Sequence, residues 1–80
     1  MEVQFSEHFQ RSFKKLDKSS REGVLEAVKI LSDLPKAGKK LRGRLSAYYS
    51  LRVGKYRVIY SVETNAVRLH DIGHRQNVYG

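Results

Sequence analysis

Cysteine is absent from these 80 residues, so no disulfide staples the chain and no thiolate can bind a metal. Long apolar runs are missing as well. No stretch approaches the roughly 20 residues of a membrane-spanning helix, and the opening MEVQF has neither a basic n-region nor an apolar h-region. A soluble cytoplasmic protein with no membrane partner is the expectation. Carboxylates are scarce: eight Asp and Glu stand against sixteen Lys and Arg, a net charge of +8. The few acids are scattered. Asp71 alone lies near two histidines, His70 and His74, and that spacing in a strand and its exit is not a metal signature. Bridging two metal ions takes several carboxylates. There is also no glycine-rich phosphate loop and no motif that assembles Ser, His and Asp. The expectation is no metal and no cofactor.

What is present is basic, and unevenly so. A field of this sign favours polyanions: nucleic acid, an anionic membrane surface or an acidic protein. Between Leu34 and Val62 stand eight bases (Lys36, Lys39, Lys40, Arg42, Arg44, Arg52, Lys55 and Arg57) and no acid. A solvated surface is the ordinary explanation of such a stretch. Two of its arginines, however, lie inside strand-like runs, which favours binding.

The chain is short enough for one domain, residues 1–80, and a chain of this size buries only about 60% of its unfolded surface. Val3 and Phe5 alternate with Glu2 and Gln4, a short first strand. Ser6 is placed to cap a helix with Glu7 in its first turn and an apolar stripe of Phe9, Phe13 and Leu16, ending near Asp17. A second helix is expected from Ser19, where Ser19 and Glu22 have capping-box spacing. Val24, Leu25, Ala27, Val28 and Leu31 are its expected buried face, and Pro35 forces it to end. A basic connector, Lys36 to Leu45, leads to three strand-like runs: Ala47–Val53, Tyr56–Val62 and Ala66–Ile72. The order β-α-α-β-β-β predicts an α+β domain, a mostly antiparallel four-stranded sheet carrying an antiparallel helix pair on one face.

Within it, LRVGKYRVIY (Leu51–Tyr60) reads as a tight hairpin turning at Gly54-Lys55, with Arg52 and Arg57 in its strands. Strands hold guanidinium groups rigidly, as anion binding or catalysis requires. RNA suits metal-free chemistry because its 2′-hydroxyl is a built-in nucleophile. A protein has then to remove that proton, neutralise the phosphorane-like transition state and protonate the departing 5′-oxygen. Arg57 and Arg75, with Arg52 behind them, are candidates for the charge. His74 is the candidate for proton transfer, and Tyr79 can stack on a base or hold the 2′-hydroxyl. Lys39, Lys40, Arg42, Arg44, Arg52 and Lys55 are the candidate RNA- and ribosome-binding residues. Ordinary explanations stand beside these: Arg52 pairing with a carboxylate such as Glu63, His74 as a loop histidine, and His70 as a half-buried strand residue.

Three segments in order, KLRG (Lys40–Gly43), YYSLRVGKYRVIY (Tyr48–Tyr60) and IGHRQNVY (Ile72–Tyr79), resemble RelE-type toxins of microbial toxin–antitoxin pairs. The resemblance covers essentially the whole chain. It implies a microbial ribonuclease-like fold and a metal-independent endoribonuclease that cleaves mRNA in the ribosomal A site and so inhibits translation. The implied partners are the ribosome, mRNA and a RelB-like antitoxin that wraps the toxin. The family's catalytic arginine falls on Arg57, its second arginine on Arg75 and its stacking tyrosine on Tyr79. Well-studied members carry two lysines on the strand before the hairpin, where this chain has Tyr48, Tyr49 and Ser50; either His74 or Lys55 takes over proton transfer, or activity is weaker. Two other classes remain open: a ParE-like toxin that blocks DNA gyrase, and a non-catalytic nucleic-acid-binding module.

Overall fold

Ser6 ends β1 (Glu2–Phe5) and opens α1 (Glu7–Lys14) in the computed structural model, which describes residues 1–74. Its hydroxyl oxygen accepts the Phe9 amide at 3.0 Å and donates to the His70 carbonyl at 2.9 Å. One side chain thus caps the helix and ties it to the last strand.

α2 (Lys18–Asp33) starts earlier than the capping-box spacing suggests. Asp17, not Ser19, is its cap: the carboxylate accepts the Ser20 amide at 3.3 Å and the Ser20 hydroxyl at 2.6 Å. Aspartate caps as well as serine, and its charge also suits the positive end of the helix dipole. These hydrogen bonds lower the Asp17 pKa. The helix stops at Asp33, two residues before Pro35, as the proline requires. Its buried positions are Val24, Ala27 and Leu31. Leu25 is 50% exposed, since one residue past Val24 is about 100° round the helix from the core-facing line.

The remaining strands are β2 (Lys39–Lys40), β3 (Tyr49–Val53), β4 (Tyr56–Val62) and β5 (Ala66–His74). They form one sheet in the order β1-β5-β4-β3-β2. β1 runs parallel to β5, while β5-β4-β3-β2 is antiparallel throughout, so the sheet is mixed and five-stranded rather than four. The extra strand is the two-residue pairing of Lys39 with Ser50 and Lys40 with Tyr49. No alternation announces it, because it is a pair of exposed lysines, the kind of charged short edge that discourages pairing with other chains. β3 begins at Tyr49 instead of Ala47, and β5 runs on to His74.

Both helices lie on one face of the sheet, α1 against β5 and α2 against β3 and β1. The core between the layers is Phe9, Val24, Leu31, Val58, Tyr60, Val67, Leu69 and Ile72. The hairpin turns where expected: Val53 pairs with Tyr56 across Gly54-Lys55, and Gly54 has φ +58°, a left-handed conformation natural to glycine. β5 is irregular. Ile59 faces Asp71 but Tyr60 faces Leu69, so His70 is an extra residue bulging from the ladder. Leu69 and Ile72, three apart, therefore both reach the core.

Candidate nucleic-acid interface

Strand alternation divides the hairpin between two faces. Tyr56, Val58 and Tyr60 turn to the helices; Arg57, Ile59 and Ser61 turn away, joined by Ser50 and Arg52 of β3. The register sets Arg52 directly opposite Arg57. Like charges so placed destabilise a strand pair, and an anion bound between them would offset that cost. Arg57 is half-buried, and its Nη1 donates to Ser50 Oγ at 3.0 Å. Ser50 is only 2% exposed, so the guanidinium is anchored at a rigid point of β3.

A buried tyrosine brings the connector alongside. Tyr60 has no exposed surface, and its hydroxyl accepts the Gly38 amide at 2.9 Å. Burial is the main reason its pKa is raised. Gly38 sits so close that a Cβ would lie 2.6 Å from the Tyr60 hydroxyl and 2.7 Å from the Ser50 carbonyl. From that contact the chain enters β2 and turns through Gly43, whose φ is +67°. The result is an open groove of about 530 Å³ lined by Lys39, Lys40, Leu41, Arg42, Leu45 and Arg57. It offers cations at its rim, an anchored guanidinium and apolar surface from two leucines, which suits a phosphate backbone and its attached groups.

The structure thus brings together four of the residues singled out by sequence: Lys39, Lys40, Arg42 and Arg57. Arg52 is exposed across the ladder from Arg57, and Arg44 is exposed on a single 3-10 turn, Gly43–Leu45. Among the described residues the ion pairs are His8–Asp71, Arg11–Glu7 and Lys29–Glu26, so Arg52 is not paired with Glu63. Lys55 sits in the turn with its Nζ 5.6 Å from the Tyr56 ring centre. His74 does not join the groove. It pairs with Tyr56 in the ladder and packs edge-on against that ring at 6.0 Å, which puts it on the helix side of the sheet, opposite Arg57. Arg75 and Tyr79 lie outside the described residues. No three metal-ligating side chains converge among the described residues.

One cluster on Arg57's face escaped the sequence reading. His70 Nε2 lies 2.8 Å from Ser61 Oγ, and its ring meets Tyr48 edge-on at 5.1 Å. Burial lowers the His70 pKa, and the nearby Arg68 charge lowers it further. Both effects disfavour the charged imidazolium. The signal for it is the bulge, which carries no sequence mark.

Comparison with known proteins agrees with this architecture. Residues 3–79 match the family model described as the ParE toxin of the type II toxin–antitoxin system parDE. No curated protein matches. The chain is similar to one in the RelBE2 toxin–antitoxin complex of Mycobacterium tuberculosis, at 32% identity and a TM-score of 0.84 over 92% of this chain and 96% of that one. It is similar to the isolated RelE toxin of E. coli, at 26% identity and a TM-score of 0.79 over 98% and 89%. The YoeB dimer of Staphylococcus aureus shares the fold, at 23% identity and a TM-score of 0.79 over 94% and 97%.

Proposed function

The chain belongs to the RelE/ParE superfamily of type II toxins, and from that membership we propose that it is a ribosome-dependent mRNA endonuclease working by metal-free attack of the message's own 2′-hydroxyl. The observation that carries this reading is Arg57. It stands on a central hairpin, anchored by buried Ser50, on the wall of a groove otherwise lined by Lys39, Lys40, Arg42 and two leucines. A preorganised guanidinium stabilises charge as it develops on the phosphorane, without reorganising at the moment of reaction. Arg75 supplies a second guanidinium and Tyr79 stacks on the message. Arg44, Arg52 and Lys55, exposed around the hairpin, add to the field that holds ribosomal RNA. A cognate RelB-like antitoxin restrains the toxin in the cytoplasm, an acidic segment being the natural cover for so basic a surface.

The experiment is to induce the protein and map mRNA 5′ ends by primer extension. Cuts inside translated codons that vanish in Arg57→Ala are the expected result. An uncut message would sink the endonuclease reading. The match to the ParE family model favours a second reading, a toxin that blocks DNA gyrase. Its signature in the same experiment is an intact message accompanied by double-strand DNA breaks.

A further inference from the structure

The ladder between β3 and β4 sets two arginines side by side on the sheet face away from the helices. Arg52 pairs directly with Arg57, and Arg57 pairs in turn with Gly73 of β5. Paired residues share a face, so one row across three strands reads Arg52, Arg57, Gly73. Resting on the endonuclease reading, we propose that Arg52 and Arg57 together clamp the scissile phosphodiester, one guanidinium to each non-bridging oxygen.

Three observations carry the clamp. The first is spacing. Residues directly opposite in an antiparallel pair have Cβ atoms about 4.5–5.5 Å apart, a separation shorter than an arginine stem, so both heads reach one phosphate. The second is the lack of a competing acid. Among the described residues no ion pair takes Arg52, and the chain carries no acid from Leu34 to Val62. Asp71, two positions before Gly73, is engaged with His8 of α1 at 2.9 Å. Gly73 itself adds no side chain to the row. The third is a division of labour between the two arginines. Arg57 is half-buried with its Nη1 held by Ser50 Oγ at 3.0 Å, whereas Arg52 is exposed. One arm of the clamp is set, and the other closes on the anion. Arg57 also lines the groove, which places the row at the end of the path offered to an RNA backbone.

The pairing has a chemical consequence. Like charges facing one another repel, and an anion between them relieves the repulsion. A phosphodiester carries one negative charge, and its phosphorane-like transition state gathers more on the same two oxygens. Paired guanidiniums, each a planar fork, therefore hold the transition state more tightly than the substrate. Neither arginine moves a proton, because both stay charged. Arg52 thus acts on the rate of the chemical step, beyond its general attraction for ribosomal RNA.

The test has two arms, each run on the full chain as wild type, Arg52→Gln, Arg52→Lys, Arg57→Gln and Arg11→Gln. In the first, thermal melts follow the addition of inorganic phosphate at constant ionic strength. A ligand that binds the folded chain raises its melting temperature. The wild type and Arg11→Gln, a change on α1, should rise together, and Arg52→Gln and Arg57→Gln should each lose most of that rise. The same melts establish that every variant folds. In the second arm, single-turnover mRNA cleavage is measured at saturating programmed ribosomes. Arg52→Gln should cut about 10²–10³-fold more slowly, as for loss of one donor to a developing oxyanion, with ribosome affinity little changed. Arg52→Lys should recover only part of the rate, since an ammonium cannot fork. A phosphate response that Arg52→Gln retains overturns the proposal. So does an Arg52→Gln chain that cuts at the wild-type rate once ribosomes saturate it, which leaves Arg52 a contact to ribosomal RNA. A wild-type chain that cuts nothing while Arg52 and Arg57 still answer to phosphate fails differently: it removes the endonuclease reading and keeps the anion clamp.

Discussion

Gly38 and Tyr60 show how much of the groove depends on single atoms. The Gly38 amide is held by a phenol with no exposed surface, against the backbone of Ser50, whose side chain anchors Arg57. Tyr60→Phe leaves that amide without its acceptor, at an expected cost of about 1–3 kcal/mol, read by chemical denaturation. Gly38→Ala is the sharper variant. Its Cβ would come within 2.7 Å of the Ser50 carbonyl, so β2 has to move away. The cleavage rate should then fall further than stability does, because Lys39 and Lys40 leave Arg57's side. Equal losses in rate and stability would refute this. In sequence, Gly38 was legible only as a turn point. Its second use, as the place where backbone meets a buried hydroxyl, depends on a residue 22 positions away.

Among the elements, the helices and the hairpin were the most legible. Periodicity marked Phe9 and Phe13 of α1, which ends at Lys14 rather than near Asp17 and leaves Leu16 beyond it, and most of the stripe of α2; Pro35 marked an end, and Gly54-Lys55 marked a turn. What local pattern missed has physical reasons. Asp17 outcompeted Ser19 as a cap because its carboxylate reaches both the amide and the hydroxyl of Ser20. Asp17→Ala should lower the melting temperature and Asp17→Ser should largely preserve it. The pH sign follows from its lowered pKa. The ionised cap stabilises the fold above the unfolded aspartate value of 3.8 and is lost as pH falls through the lower folded value. A melting temperature of Asp17→Ala that falls with acid as steeply as the wild type's would contradict it. β2 and the β5 bulge were not legible. A two-residue strand has no period to read, and an extra residue in a ladder is defined only by its partner strand.

At the scale of the molecule, a net charge of +8 is spread over faces that do different things. The groove collects Lys39, Lys40, Arg42 and Arg57, while Arg11 and Lys29 serve α1 and α2 through pairs with Glu7 and Glu26. Binding to a single-stranded oligoribonucleotide should therefore weaken with salt. Removing both lysines in Lys39→Ala/Lys40→Ala should flatten the slope of log K against log salt by about 1.4, two contacts at about 0.7 each. An unchanged slope would mean that these lysines do not meet phosphate.

The sequence alone determined the class of fold, the hairpin and the excess of positive charge, because alternation, turn chemistry and net charge are local or additive properties. The family resemblance, too, was legible in three short segments. Which cations share a surface was decided by tertiary structure, since a buried tyrosine draws the connector onto the sheet. So was the side of the sheet that each histidine faces. His74 stood out in sequence as the proton carrier because an imidazole's pKa can approach neutrality. Four residues apart in a regular strand, His70 and His74 would share a face; the bulge at His70 puts them on opposite faces, His74 with Tyr56 and His70 with Ser61.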